Sequence, residues 1–426
     1  MLSQADLPDR LGRYRTGPPT PLTHVVGERM YMIRKLITGS AAAAVLAVMA
    51  ATSALAAEPA HAGPAGTNRP NDPPGTTVPR EGDVVGVGSD TDEFLVDQLS
   101  HDYNATHAGS AHLLYSWDAL NPKTGGTDNI VTKAKCSAIP RPDGSGAGIT
   151  AFDTNAKTSD GKAFCIDYAR SARGRSSSDP PKGPGGILFV ELAKDAITYA
   201  TQSTTNAPGN LTTAQLAAIY NCADTNWSQV GGKSAPIHAF LPNPAQSGMA
   251  KSFLAIIGVT TPGSCVNQTV QQNQGIDPLL KNADAIVPYS IAKYIAQRYH
   301  SAKCLNSSCT AVSGVECKPA TGQNLFGCDE HGTLKVNSVN GIKPTAGTAP
   351  NVTINSTFGS SPFGNPIYDV VRFSSSTPDN IPSNLEKFFA SATAKVKGFV
   401  CNGKTATTDI KHYGFLTVGP LCGIGS

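Results

Sequence analysis

The sequence has almost no excess of charge, since 34 Lys and Arg stand against 31 Asp and Glu. That balance removes any electrostatic case for a nucleic-acid partner or an anionic membrane. It also lacks a close C-x-x-C pair, so its ten cysteines do not read as a zinc site. There is no Gly-x-Ser-x-Gly elbow; in the nearest miss, "GSGAG", Gly146 stands where the serine belongs. "GVGSDT" lacks the third glycine and the later acidic partner of a dinucleotide fingerprint. Internal repeats are absent. So is a membrane span, because the one long apolar run, "AAAAVLAVMAATSALAA" at 41–57, is short and alanine-rich with no charged flank after it.

That run has instead the shape of a secretory signal. Arg34 and Lys35 precede it, and Ala54, Leu55 and Ala56 supply a small-x-small end. The reading divides the chain into an N-terminal extension with signal peptide (1–62) and a Pro/Gly-rich disordered leader (63–82). The expected start codon is Met30 or Met32, with cleavage after Ala56 or Ala62. No cysteine near either point offers a lipid attachment, so the expected location is extracellular. An even cysteine count in an oxidising compartment reads as disulfides. Local pairing suggests Cys136 with Cys165, Cys222 with Cys265 and Cys401 with Cys422, leaving Cys304, Cys309, Cys317 and Cys328 to pair among themselves. The remaining length exceeds what one core usually fills, so two lobes are expected.

Strand-like and helix-like segments alternate, which argues for an α/β protein. A helix is expected with Phe94, Leu95, Leu99 and Tyr103 on one face and Asp90 or Thr91 as its cap. Thr212 and Gln215 have capping-box spacing, Gly258 closes the helix after "NPAQSGMAKSF", and a further helix is expected at "NLEKFFASATAKVKGFV". His238 reads as a packed core histidine and Trp227 as a packing anchor. Three turns share a design of strand end, small residues and helix start. They hold Ser89, Asp90 and Thr91; Ser145 and Gly146; and Ser247, Gly248 and Met249. Helix N-termini carry unpaired N–H groups and partial positive charge, which attract an anion, and small residues let it approach the backbone.

In order and spacing, "GVGSDT", "DGSGAGI", "CIDYARSA", "VELAKDAITYA", "LTTAQLAAIYNCADTNW", "PNPAQSGMAKSF" and "AIVPYSIAKY" resemble the phosphate-binding proteins of bacterial ABC uptake systems, in an actinobacterial-looking branch, over roughly residues 84–300. The resemblance implies a two-lobed type II periplasmic-binding-protein fold with a hinge and an interlobe cleft. Lobe 1 would take 83–195 and, with a Cys-rich C-terminal region, 286–426; lobe 2 would take 196–285. The crossings would fall near 196–200 and 286–289. Ligand would meet Ser89, Asp90, Thr91, Ser145, Gly146, Ser247, Gly248 and Met249. Three family contacts are replaced: an aspartate by Ala172, an arginine by Asn243 and a threonine by Met249. Arg170 or Arg173 could supply the missing cation, and the lost acceptor would relax rejection of sulfate. The expected ligand is a small phosphate-like anion and the expected partner an ABC permease, with no cofactor, metal or nucleic acid.

Two other classes compete. "SIAK" places Ser290 and Lys293 in the Ser-x-x-Lys pattern of a lysine-activated serine enzyme. "KTG" (Lys123 to Gly125) and "TDN" (Thr127 to Asn129) both precede it, which is the wrong order for the penicillin-recognising enzymes. The missing lipid anchor allows a secreted interaction protein without a transport role.

Overall fold

Residue pattern and strand length explain the central sheet directly. "ILFVELAKDAITYATQ" is β-branched and apolar on both faces, as a strand covered on both sides must be. The computed structural model describes residues 78–110, 112–121, 126–300, 309–310, 318–319, 331–349 and 351–426. The expected signal peptide and nearly all of the leader lie outside these residues, as does the pairing of Cys304, Cys309, Cys317 and Cys328. The described residues all fall in one compact unit, Glu58–Ser426.

Eight strands build the sheet. They are β1 (Val84–Gly88), β2 (Leu114–Ser116), β3 (Tyr168–Ser171), β4 (Ile187–Gln202), β5 (His238–Ala239), β6 (Ala285–Ser290), β7 (Leu334–Val336) and β8 (Gly364–Arg372). Their order is β2-β1-β3-β8-β4-β6-β5, with β7 also paired to β4. The 16-residue β4 changes partner midway. Ile187 to Ala196 run antiparallel to β8, whereas Ile197 to Thr201 run antiparallel to β6. The sheet therefore has two halves sharing one strand, and the exchange falls at Ala196 and Ile197.

The helices include α1 (Glu93–Thr106), α2 (Ser145–Asp153), α3 (Thr213–Tyr220), α4 (Gly248–Ile257) and α5 (Ile291–Ile295). Phe94, Leu95, Leu99 and Tyr103 of α1 are buried as their spacing predicts. The cap of α1 is a correction: it falls on Asp92, while the Ser89 hydroxyl accepts the Thr91 N–H at 3.2 Å. The Thr212–Gln215 capping box is present, and Gly258 closes α4 in the left-handed region. Trp227 is fully buried. His238, expected in the core, is exposed instead, because β5 forms the edge of the sheet.

The helix expected over 384–400 is broken. A helix covers Ser383–Phe389, Ala390 leaves helical geometry with its carbonyl accepting the Gly398 N–H, and a short turn resumes at Phe399–Asn402. The intervening "SATAKVK" has no apolar stripe at helical spacing, so nothing draws a continuous helix onto the core. The disulfides Cys136–Cys165, Cys222–Cys265 and Cys401–Cys422 match the local pairings expected from the sequence. No helix among the described residues is long and apolar enough to cross a membrane.

Candidate functional site

All three small-residue turns come to one place. Gly88 at the end of β1 bridges Asp143, just before α2. The Gly146 N–H in the first turn of α2 donates to the Gln246 carbonyl at 2.8 Å, just before α4. Gly248, the first residue of α4, faces Ser145 so closely that an added Cβ would lie 2.4 Å from Ser145 Oγ. The topology produces this meeting. α1 and α2 pack against the β2, β1 and β3 side of the sheet, and α4 packs against β6 and β4. Gly144, Gln246 and Ser247 line one cavity there, of about 240 Å³; Gly146 and Ala245 line another, of about 320 Å³.

The expected ligand residues differ in what they offer. Ser89, Ser145 and Ser247 are all buried. Ser145 Oγ accepts the Ala172 N–H at 3.0 Å, and Ser247 Oγ accepts the Ala250 N–H at 2.9 Å as the cap of α4. The N–H groups of Gly248 and Met249 open α4, where no intrahelical acceptor exists. The Met249 side chain is fully buried in the main apolar core. The Gly146 N–H is taken by the Gln246 carbonyl.

The two arginines are not surface residues. Arg170 is completely buried, and its guanidinium donates to the carbonyls of Ser89 (2.9 Å) and Gly88 (3.4 Å) and to Ser116 Oγ. It holds the first turn from behind. Arg173 forms a two-pronged pair with Asp179, at 2.6 and 2.8 Å, so its charge is balanced within the protein. Arg173 lines the larger cavity with Gly146 and Ala245, but its charge there is met by Asp179.

The surroundings of Arg170 are rich in carboxylates. Asp92 and Asp369 are buried beside it, and Asp195, at the partner exchange of β4, is buried within electrostatic reach of Asp92. Burial pushes the Asp92 carboxyl up to about 6 and that of Asp195 up to about 7, and it raises Asp369 well above the ordinary range. Burial also works against ionised Glu93, but Lys293 and Arg170 more than offset it and hold that carboxyl below its usual value. Lys293 Nζ lies 2.9 Å from Glu93 Oε1 and donates to the Asp90 carbonyl. Ser290 is buried, with its hydroxyl accepting the Lys293 N–H as the cap of α5. In Ser-x-x-Lys chemistry the neutral lysine amine must take the serine proton; here Lys293 Nζ donates to Glu93 and the Asp90 carbonyl.

Sequence reasoning missed a segment that touches every turn. Gln271 Nε2 donates to Asp143 Oδ1 at 2.9 Å. Gln272 Nε2 donates to Asp90 and to Thr91 Oγ1, and its Oε1 accepts the Ser247 hydroxyl. Asn273 Nδ2 donates to Asp90 Oδ2 at 3.2 Å. A run of amides reads as a solvated loop, since Asn and Gln are mostly exposed; the one signal was its density, "QQNQ" at 271–274. Asp143 was also missed as a site residue. Burial raises its carboxyl to about 6, and it lines the smaller cavity with Ser247.

Among solved structures, two similar chains are related to phosphate uptake by their descriptions. One, from Clostridium perfringens with bound phosphate, is assigned as a phosphate ABC transporter substrate-binding protein; identity is 16%, covering 79% of this chain and 99% of that one, with a TM-score of 0.49. The other, an ABC-type phosphate transport receptor from Vibrio cholerae, is 19% identical, covers 78% and 99%, and has a TM-score of 0.46. No curated protein matches the sequence. The profile of the PBP superfamily domain matches residues 112–393, more than half of the chain. With its α/β sheet in two halves, the two-lobed type II fold implied by the sequence, the chain belongs to the PBP superfamily.

Proposed function

We propose that this chain is an extracellular solute-binding protein for a small oxyanion, phosphate or a phosphate-like ion, serving ABC-type uptake. The observation that supports it is the meeting of the α2 and α4 starts with the turn after β1, sealed by the Gly146–Gln246 hydrogen bond. Ser89, Thr91, Ser145 and Ser247 bring hydroxyls to that place, and the opening N–H groups of α4 add donors. Membership of the PBP superfamily supports a binding role, and the three disulfides suit an oxidising compartment.

The acidic residues refine the ligand. Asp90 and Asp143 stand beside Thr91 and Ser247, so a ligand that carries its own proton finds acceptors there, whereas a fully ionised one meets uncompensated charge. Phosphate and arsenate satisfy this at neutral pH; sulfate does not. Such acceptors would act against the relaxed rejection of sulfate expected from Ala172 alone.

Titration calorimetry of the full chain with phosphate, arsenate and sulfate tests the reading. Heat and a raised melting temperature with the first two support it. Silence and an unmoved melting temperature with all three would sink it. The direction of Lys293 toward Glu93 leaves the serine-enzyme reading without a favouring observation.

A further inference from the structure

The expected ligand residues already have an occupant. The carboxamide of Gln272 lies between the first and third turns, bonded to Asp90, Thr91 and Ser247 at once. It accepts from a hydroxyl on one side and donates to a carboxylate and a hydroxyl on the other. A protonated oxyanion would offer the same pattern: one oxygen accepting, one O–H donating. Gln272 is 4% exposed, so this is an interior contact and not a surface one.

Its backbone is held in place on the half that carries β6. The Asn273 carbonyl accepts Tyr289 Oη at 2.6 Å and Gln297 Nε2 at 2.8 Å, and Asn273 Oδ1 accepts the Ser290 N–H at 3.0 Å. Asn273 has a φ of +54°, a left-handed geometry that asparagine tolerates better than most residues. Gln272 is thus presented on a fixed support attached to the end of β6, while Asp90 and Thr91 belong to the turn after β1. Its bonds join the two halves.

We propose that Gln272 is a built-in surrogate for the ligand: its side chain fills the oxyanion position, holds the halves shut and must be displaced for binding. The inference rests on the oxyanion reading for what displaces Gln272, but the latch itself does not. Being uncharged, the carboxamide closes the site without a counter-ion. Competition from it lowers the apparent affinity by the fraction of molecules that are plugged.

Two variants in the full chain test this against inorganic phosphate. Gln272→Ala removes both the bonds and the bulk. It is expected to bind phosphate about tenfold more tightly than the natural chain, the scale of one or two hydrogen bonds. Gln272→Met keeps the bulk without the bonds and is expected to gain less affinity than Gln272→Ala. Both are expected to speed hydrogen exchange at the Gly146 amide in phosphate-free buffer, because that amide closes the gap between halves. Gly146 exchange unchanged in both variants overturns the latch. Gln272→Ala binding phosphate no better than the natural chain overturns the plug. Faster exchange with no phosphate bound by any variant supports the latch and removes the oxyanion reading alone.

Discussion

Gly248 and Ser145 meet across the gap between the halves with no room for a methyl group: a Cβ on Gly248 would sit 2.4 Å from Ser145 Oγ and 2.6 Å from its Cβ. Gly146 is as tightly placed, 2.2 Å from the Ala245 carbonyl by the same construction. Real atoms do not approach so closely, so the closed arrangement requires glycine at both positions.

Gly146→Ala should therefore hold the halves apart while leaving each intact. Backbone carbonyl, unlike a flexible side-chain tip, cannot step aside. The expected result is a near-natural circular dichroism spectrum with the phosphate-dependent melting shift lost. A full shift retained by Gly146→Ala would show that binding does not use this closure.

Acidity gives a second prediction, with its sign fixed by linkage. Burial lifts the Asp195 carboxyl to about 7, above its unfolded value, so its contribution to stability is complete in acid and is lost as pH rises toward 7. Asp195→Asn keeps an acceptor for the Ala292 N–H, now 2.9 Å from Oδ1, and removes the titration. Its melting temperature should gain on the natural chain between pH 5 and pH 8, by the equivalent of on the order of 3 kcal/mol at most. Parallel melting curves across that range would refute it.

Lys293 makes the third. Lys293→Met leaves Glu93 buried without its ammonium partner, and breaking such a pair typically costs about 3–5 kcal/mol. Glu93→Gln with Lys293→Met should recover much of that loss in urea unfolding. Additive losses in the double variant would mean that the pair is not coupled.

The disulfide Cys222–Cys265 closes a loop with a sequence separation of 43 that contains β5, α4 and the turn at Ser247. Replacing both cysteines with alanine should cost about 2–5 kcal/mol. Thermal unfolding checks this, and a cost well under 1 kcal/mol would place the restraint elsewhere.

Much of this architecture was legible in the residues. α4 announced itself through Ser247 at its start, a compact apolar face and Gly258 at its end, and the structure has all three. The turns were legible because small residues before a helix have few other uses. What stayed hidden depended on contacts that no local residue pattern specifies. Nothing near Arg173 in sequence tells that Asp179 will neutralise it, since the same composition suits a solvated loop. His238 was misplaced because a strand pattern does not reveal which strand ends up at the edge. The amides at 271–273 were invisible for the opposite reason: polar, local and unpatterned, they gain meaning only when Asp90, Asp143 and Ser247 arrive beside them.

The shared strand β4 has a mechanical consequence. The halves are joined through a hydrogen-bonded ribbon paired on both flanks, with β8 and then β7 on one side and β6 on the other. Such a joint resists free swinging and yields by twisting, as a torsion bar does. Opening would then be a small rotation that loads the sheet, and the elastic return of that ribbon would help to shut the molecule again.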